Sequence, residues 1–379
     1  MAISRRGLLK LGVSGVAASY APPPAFTSTT QTTTGQQVGA GTRKPIRLDR
    51  NENAYGPSPN AVAEVLKNAN SVNRFPSSSD ALGSSIASVH GIRPEQILLG
   101  AGSTAIMSMA VNAFLRNGRR LVLATPTFEL IGHYALANGA QISAVSLRHD
   151  YGHDLEAMLA AVNSETGLIY ICNPNNPTGT LTDRQSIDRF LEKLPEWVPV
   201  IIDEAYHEYA GGSGSYVSFL DRPSLHPGAI ITRTFSKIYG LAGLRLGYAF
   251  AQPNILNALA KEKREMEIGS LSLAAGLAAL ADTEFTARCV QRNQNDRQEF
   301  VNQVNARMLR VLDSHTNFAC LNVMHPAKEI IEHYQKNDIL LGPEIPGMPN
   351  YVRVSFGAPE EMREFWAVWD LLGEHRTAM

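Results

Sequence analysis

Short apolar runs alternate with longer segments of helical spacing along most of the chain. Six of these runs are rich in β-branched residues, as buried strands are. They span residues 96–99, 120–123, 167–171, 198–202, 229–232 and 246–250. The alternation predicts an α/β fold in which a mostly parallel, mixed sheet is covered by helices on both faces.

The rhythm changes after residue 250. Three helical patterns follow one another, and then comes a strand, a helix and a strand. The helices are predicted at 254–268, 271–281 and 283–309, and the last three elements at 318–323, 327–337 and 351–356. No internal repeat accompanies them. We therefore expect a large α/β domain over residues 76–255, a smaller α+β C-terminal domain over 256–379, and an arm over 42–75 that joins the small domain.

Composition favours a small-molecule ligand. The 379 residues are 44% hydrophobic and 18% charged, which suits one or two sizeable cores. The net charge of -1 and the pI near 6.8 give no field that would attract nucleic acid or an anionic membrane. Cys172, Cys289 and Cys320 show no metal-ligand spacing, so we predict inert buried thiols and no metal site.

The N-terminus departs from this composition. The segment Ser4-Arg5-Arg6-Gly7-Leu8-Leu9-Lys10 precedes an apolar run and then a stretch rich in Pro, Thr, Ser and Gly. This order predicts a signal peptide and a disordered linker over residues 1–41. The paired arginines resemble a twin-arginine signal, with Leu8 where phenylalanine is usual. We expect a periplasmic or secreted protein, without a membrane segment in the mature form; a disordered basic tail on a cytoplasmic protein is the alternative.

One lysine follows a predicted strand in a loop of hydroxyl and small residues. In parallel sheets, ligands bind beyond the carboxyl ends of the strands, and Lys237 lies at such a place. A lysine attacks an aldehyde when its amine is partly deprotonated by desolvation or a nearby cation. Arg245, eight residues later, is a candidate for that cation. A solvated surface lysine is the alternative interpretation of the loop taken alone.

The residues around Lys237 carry a resemblance to a known family. The run TFSKIYGLAGLRLGY resembles the lysine motif of class I/II aminotransferases of fold type I, which depend on pyridoxal 5'-phosphate (PLP), and is most similar to their histidinol-phosphate aminotransferase branch. Six further motifs extend the similarity over roughly residues 46–358. They are DRNENAYGPSP (49–59), GAGSTAI (100–106), TPTFE (125–129), NPNNPTG (173–179), IIDEAYHEY (201–209) and YVRVSFG (351–357).

The resemblance implies roles for the residues around the cofactor ring. Lys237 forms the Schiff base, and Asp203 pairs with the ring nitrogen, whose protonation lets the ring drain electrons from a Cα carbanion. Asn176 and Tyr206 donate to the phenolic oxygen. Phe128 stacks on the ring face. Lys237, Asp203 and Tyr206 are thus the predicted catalytic residues; a helix cap for Asp203, a plain turn for Asn176 and core packing for Phe128 are the alternatives.

The cofactor's phosphate requires backbone N–H groups at a helix start, hydroxyls and a cation. By resemblance, two loops supply them. The predicted phosphate ligands are Gly102, Ser103, Thr104, Thr234, Ser236 and Arg245. An ordinary helix cap gives the same Gly-Ser-Thr pattern.

Substrate recognition is predicted at four positions. Arg353, a charge within an apolar strand pattern, is by resemblance the clamp for the α-carboxylate; a surface-facing strand arginine is the alternative. Asn176 is a second predicted substrate contact. Asn53 and Tyr55 match the segment that lies over the active site. In similar proteins such a tyrosine reaches across a dimer interface, which implies a homodimer.

Two departures from the branch bear on the substrate. Phe75 stands where a tyrosine hydroxyl is common, and Gly342 stands near the place where an arginine binds the phosphate of histidinol phosphate. Losing that charge-assisted contact weakens binding of the phosphate. The sequence therefore predicts a histidinol-phosphate-aminotransferase-like enzyme with another substrate.

The expected reaction is the ping-pong transamination of an amino acid or related primary amine to a 2-oxo acid. Lys237 moves the proton from Cα to the cofactor carbon. The alternatives are a PLP-dependent decarboxylase, including a threonine-phosphate type, an oxidase or a lyase. A non-catalytic PLP-fold binding module is a further alternative, although no basic patch or helix-turn-helix precedes residue 46.

Overall fold

Twelve strands make up the sheets of the computed structural model, which describes residues 44–76, 78–221 and 226–374. They are β1 (Ile46–Leu48), β2 (Ile97–Gly100), β3 (Arg120–Thr125), β4 (Gln141–Ser146), β5 (Thr166–Cys172), β6 (Val200–Asp203), β7 (Ala229–Thr234), β8 (Gly247–Ala251), β9 (Arg310–Val311), β10 (Phe318–Asn322), β11 (Ile339–Leu341) and β12 (Tyr351–Ser355).

The α-helices alternate with these strands. They are α1 (Pro59–Asn68), α2 (Asp80–Val89), α3 (Ser103–Phe114), α4 (Leu130–Ala137), α5 (Leu155–Ala160), α6 (Arg184–Lys193), α7 (His207–Ala210), α8 (Pro253–Ala260), α9 (Ser270–Ala281), α10 (Thr283–Ala306), α11 (Ala327–Lys336) and α12 (Pro359–Glu374). Ser58 caps α1, and Asp154, Asp183 and Asp282 cap α5, α6 and α10, each by accepting a backbone N–H of the first turn.

Seven strands form the main sheet, in the order β2-β8-β7-β6-β5-β3-β4. Strand β8 is antiparallel to both of its neighbours, and every other pair is parallel. Side chains of β5 alternate between two cores: Tyr170 packs with α3 and α4, whereas Ile169 and Ile171 pack with α2 and α6. Because both faces are buried, these strands are continuously apolar. The predicted mostly parallel, doubly covered sheet is confirmed.

Two smaller sheets complete the fold. Strands β12, β10 and β9 form an antiparallel sheet, and β1 pairs with β11 in parallel. A third core beneath them is built on Phe300, Tyr334 and Phe365. Because β1 pairs with β11, the segment that follows Leu48 lies at the carboxyl edge of the main sheet. The division into domains at residues 75 and 255 stays a prediction.

Several elements differ from the sequence prediction, which also lacked the short strands β1 and β9. The predicted helix 254–268 ends as α8 at Ala260, because the charged run 261–265 offers no apolar stripe to pack. Strand β4 was not predicted; it lies at the sheet edge, where an alternating pattern replaces a continuous apolar run. Strand β11 has only three residues, too few for its pattern to be recognised.

Further sequence predictions concern the signal peptide, membrane segments, metal sites and the cysteines. The signal peptide predicted at 1–41 lies outside the described residues. Within the described ranges, no helix is long and apolar enough to cross a membrane. The same ranges contain no group of His, Cys, Asp and Glu side chains arranged to hold a metal ion. Cys172, Cys289 and Cys320 are buried, as predicted, and burial raises the pKa of each thiol.

Candidate active site

A cavity of about 780 Å³ lies beyond the carboxyl ends of the central strands. In the register of β5, β6 and β7, Cys172 pairs with Asp203, and Asp203 pairs with Thr232. This pairing brings the residues of the cavity wall together. Eleven of the residues predicted from sequence line it. They are Ser103, Thr104, Phe128, Asn176, Asp203, Tyr206, Thr234, Ser236, Lys237, Arg245 and Arg353.

Lys237 lies in the loop after β7 and extends towards the chain that follows β1. Its Nζ donates to the carbonyl oxygens of Arg50 and Asn51, both at 3.0 Å. Burial lowers the pKa of Lys237 to about 7, and the charge of Arg353 adds to the effect. About half of the amines are then neutral near pH 7, so this side chain can act as a nucleophile or a general base.

Asp203 ends β6 and is held from both sides. Tyr170 Oη donates to one carboxylate oxygen at 2.8 Å, and Thr232 Oγ1 donates to the other at 3.0 Å. Burial raises the pKa of Asp203 to about 6 although these hydrogen bonds oppose it. The sequence reasoning missed Tyr170 and Thr232. A phenol inside a fully apolar strand was the available signal, because a buried hydroxyl requires a partner.

Tyr206 is buried beside Lys237. Asn51 Nδ2 donates to Tyr206 Oη at 2.9 Å, and burial raises the pKa of the phenol. Asn51 was also missed. Its backbone is left-handed, at φ 53°, and Ser355 Oγ donates to its Oδ1 at 3.0 Å. An asparagine tolerates this left-handed conformation better than most residues do. The signal available in the sequence was an asparagine that stands between two charged residues.

Arg353, on β12, is half-buried and has no carboxylate partner. Its Nη1 donates to Asn176 Oδ1 at 2.7 Å and its Nη2 to the Asp49 carbonyl oxygen at 2.5 Å. Its Nε is buried and has no hydrogen-bond partner. Burial lowers the pKa of this guanidinium. A half-buried cation with an unused donor at the wall of a cavity is suited to an anionic ligand.

The opposite wall collects donors for a phosphate. Arg245 Nη1 donates to Ser236 Oγ at 3.1 Å, and Nη2 donates to Thr104 Oγ1 at 3.3 Å. The N-terminus of α3 opens here, with Ser103 at its first position. Gly102 precedes it at φ +81°, and an added Cβ would lie 2.5 Å from Arg245 Nη2. Helix dipole, hydroxyls and guanidinium together fit a phosphate group.

Three residues near the cavity have other contacts. Asn53 Nδ2 donates to the Ile238 carbonyl oxygen at 2.8 Å, and Tyr55 Oη donates to Asp296 Oδ2 at 2.8 Å. Phe128 is half-buried and also packs against the core formed with α3 and α4, so its predicted stacking role and core packing are compatible. Asn53 and Tyr55 do not line the cavity of the described chain, and their predicted substrate contacts stay predictions.

The sequence pattern of the family described as aminotransferase class I and II matches residues 43–368. The chain belongs to this family. As an aminotransferase it is an enzyme that acts on amino and oxo acids, and its cofactor is pyridoxal 5'-phosphate. The predicted reaction class, cofactor and type I fold are thereby confirmed.

The proteins similar to this aminotransferase include several histidinol-phosphate aminotransferases. Histidinol-phosphate aminotransferase 2 of Pseudomonas fluorescens (strain Pf0-1) is 36% identical over 322 residues, which cover 84% of this chain and 86% of that one. The histidinol-phosphate aminotransferase of Bacillus subtilis (strain 168) is 34% identical over 330 residues, covering 86% and 91%. The crystal structure of the enzyme from Sinorhizobium meliloti, in complex with pyridoxal-5'-phosphate, is 27% identical, with a TM-score of 0.80 and coverage of 85% and 89%.

Proposed function

We propose that this aminotransferase converts an amino acid to its 2-oxo acid with Lys237 as the covalent anchor and proton carrier. One observation carries the proposal: a lysine with a pKa near 7, a buried aspartate and an arginine without a carboxylate partner line one cavity. A phosphate cup lies on the opposite wall. The decarboxylase, oxidase and lyase alternatives share this cofactor chemistry, but no observation favours them here.

The residues of the cavity fit PLP. Arg245, Thr104, Ser236 and the N-terminus of α3 would hold its phosphate, with Thr234 supporting the loop through the Ser236 N–H at 3.1 Å. Asp203 would pair with the ring nitrogen, and Asn176 and Tyr206 would lie at the phenolic oxygen. When bound, the cofactor supplies a carbonyl for the amine and an electron-poor ring that stabilises charge at the substrate Cα.

The chain's own groups then carry out three tasks. Arg353 binds the α-carboxylate and so fixes the Cα–H bond relative to Lys237. Near pH 7, about half of the Lys237 amines are neutral. The neutral Nζ takes the proton from the substrate Cα and then delivers it to the cofactor carbon. Asp203, buried between Tyr170 and Thr232, keeps a negative charge beside the ring nitrogen.

Substitution of Lys237 tests the proposal. In Lys237→Ala we expect no borohydride-stable attachment of PLP and a fall in kcat of at least about 10⁴-fold, the upper end of what a positioned acid-base group contributes. Peptide mass mapping locates the attachment, and a donor half-reaction measures kcat. Lys261→Ala, on a turn outside the cavity, is the matched control. Trapping of PLP on another lysine in the wild type would contradict the assignment.

The substrate proposed here is not histidinol phosphate, although the relatives bear that name. An added Cβ at Gly342 would lie 3.0 Å from Arg353 Nε and 3.1 Å from the Arg353 carbonyl oxygen. The position expected to carry an arginine is therefore packed against the proposed carboxylate clamp. A histidinol phosphate kcat/KM above that of every ordinary amino acid would refute this part of the proposal.

Export and assembly are further parts of the proposal. We propose that Arg5 and Arg6 direct the folded enzyme to twin-arginine export, and that the enzyme is a homodimer. The segment 4–10 and the resemblance of the DRNENAYGPSP motif support these two statements. Cell fractionation of an Arg5→Lys, Arg6→Lys variant tests export, and sedimentation of the holoenzyme tests assembly. Unchanged localisation of the variant, or a monomer at micromolar concentration, would refute the respective statement.

A further inference from the structure

A second cavity shares a wall with the cofactor cavity. This side lobe has a volume of about 330 Å³, at the lower end of the roughly 300–1,000 Å³ of small-molecule sites. Phe128, Asn176, Pro343 and Arg353 line both spaces. A substrate whose α-carboxylate lies on Arg353 therefore has the side lobe next to it.

Apolar groups make up much of the side lobe. Phe128 and Leu130 come from the β3–α4 connection, Pro177 follows β5, and Ile345 lies in the loop between β11 and β12. Leu130 and Phe128 are half-buried and Ile345 is 6% exposed, so an apolar side chain placed here would lose contact with water on several sides. Burial of one large apolar side chain contributes about 1.5–3 kcal/mol.

The charged groups of the side lobe are mostly negative. Glu129 and Glu344 line it, and Arg353 is the one arginine or lysine among its described lining residues. Glu129 lies close enough to act electrostatically on Arg353. The Arg353 guanidinium already donates to Asn176 and Asp49, and the second N–H of each Nη would go to the α-carboxylate. An anionic side chain would thus meet two carboxylates, with His133 as the one histidine and Arg353 as the one arginine among the described lining residues.

The other cations of the site are engaged elsewhere. Arg245 donates to Ser236 and Thr104 in the phosphate cup. Arg50 lines the cofactor cavity and pairs with Asp49, with 3.4 Å between Nε and Oδ2. Neither is among the described residues that line the side lobe. The selectivity of the side lobe therefore depends on Glu129 and Glu344.

We infer that the side lobe receives the side chain of the amino-acid substrate and favours a large apolar one over an anionic one. Glu129 and Glu344 reject side chains that end in carboxylate or phosphate, because like charges brought together at a binding surface cost several kcal/mol. The inference rests on the proposed transamination and names its substrate class.

Single-turnover half-reactions of the PLP-loaded enzyme test the inference, followed by the absorbance of the bound cofactor. Leucine with aspartate and methionine with glutamate are pairs of similar size that differ in charge, and phenylalanine and histidinol phosphate extend the series. We expect the uncharged member of each pair to react at least about 10²-fold faster, a ratio that corresponds to a few kcal/mol. A faster reaction of aspartate, glutamate or histidinol phosphate than of the apolar amino acids would overturn the inference.

Charge-neutral variants assign the selectivity to named residues. In Glu129→Gln/Glu344→Gln the methionine-to-glutamate ratio should fall by about tenfold or more through a gain of the glutamate reaction. The single variant Glu344→Gln changes only an exposed side chain, so it serves where the double variant does not fold. Glu192→Gln, an exposed carboxylate on α6 outside both cavities, should leave the ratio as it is. An unchanged ratio in Glu344→Gln and in the folded double variant would overturn the assignment.

Equilibrium binding gives a readout without turnover. The α-methyl analogues of these amino acids lack the proton that Lys237 removes, so the ratio of two of their dissociation constants reports the contribution of the side chain. α-Methylphenylalanine should bind at least about 10²-fold more tightly than α-methylaspartate. If no amino acid converts the cofactor but the analogues still follow this order, transamination fails and the side-lobe selectivity stands. If conversion is fast and the order is reversed, the selectivity fails and transamination stands.

Discussion

Two arginines of this protein have opposite surroundings. Arg233, in β7, is 4% exposed and forms an ion pair with Glu204, which is 1% exposed, at 3.0 Å. It also donates to Ser218 Oγ at 2.6 Å. Arg353 is less fully buried; it contacts an amide oxygen and a backbone carbonyl, and its Nε has no partner.

The pKa values of the two arginines are shifted in opposite directions. Burial works to lower the pKa of Arg233, but the surrounding acids, Tyr248 and Glu204 first, outweigh it and leave the pKa raised. At Arg353 burial prevails and lowers the pKa. A buried charge that the protein itself neutralises is structural, and one left without a counter-ion is held ready for a ligand. Burial alone therefore does not distinguish a binding residue from a structural one.

The largest expected effect is on the reaction when Arg353 is lost. Arg353→Met removes two charge-assisted hydrogen bonds to the substrate carboxylate, worth about 1.5–3 kcal/mol each, so kcat/KM should fall by about 10²–10⁴-fold. The free energy of unfolding should stay equal or rise, because an uncompensated buried charge is removed. Steady-state kinetics and urea denaturation measure the two quantities. A clear loss of stability without a change in kcat/KM would make Arg353 structural.

The opposite pattern is expected for Arg233. Arg233→Met leaves the Glu204 carboxylate buried without its partner, which should cost about 3–5 kcal/mol of the free energy of unfolding. Urea denaturation of the apoprotein measures this loss. The double variant Arg233→Met/Glu204→Gln should recover part of it, since the charge that lacks a partner is gone. Equal stability of the single and double variants would refute the proposed pairing.

A smaller effect is expected at Asp203, the aspartate proposed to pair with the cofactor ring. Tyr170→Phe removes one of three hydrogen bonds that lower the pKa of Asp203, so that pKa should rise above about 6. A hydrogen bond to a charged group is worth about 1.5–3 kcal/mol, so kcat should fall by about 10–10²-fold. The acid limb of the kcat-pH profile should move to higher pH. A shift to lower pH would contradict this role of Tyr170.

The smallest effect concerns pH in the apoprotein. Because the pKa of Lys237 is lowered to about 7, its neutral fraction rises by about tenfold between pH 6 and pH 8. The rate of covalent attachment of PLP should rise by the same factor and level off above pH 8. Stopped-flow absorbance after mixing apoprotein with PLP measures it. A rate that keeps rising through pH 10 would show that Lys237 has an ordinary lysine pKa.

The cofactor side of the cavity was largely predictable from sequence. Lys237, Asp203 and Asn176 each lie in a short motif directly after an apolar strand, and parallel strands bring such loops to one edge. The register of β5, β6 and β7 realises that expectation. Tyr170 and Thr232 were not predicted, because hydrogen bonds between neighbouring strands depend on a register that the linear sequence does not contain.

The substrate side depended on long-range packing. Asn51 meets Ser355 across 304 positions, and Arg353 meets Asn176 across 177. The pairing of β1 with β11 makes these contacts possible, and strands of three residues give too weak a pattern to predict it. The side lobe likewise combines Glu129 with Glu344, two carboxylates that no motif connects.

The sequence by itself determined the α/β alternation, the reaction class and the cofactor, because each of these is encoded in local runs of a few residues. The tertiary structure alone decided which buried charges are neutralised and which remain open to a ligand. That decision depends on distances between segments far apart in the chain, and electrostatic interactions follow those distances rather than positions in the sequence.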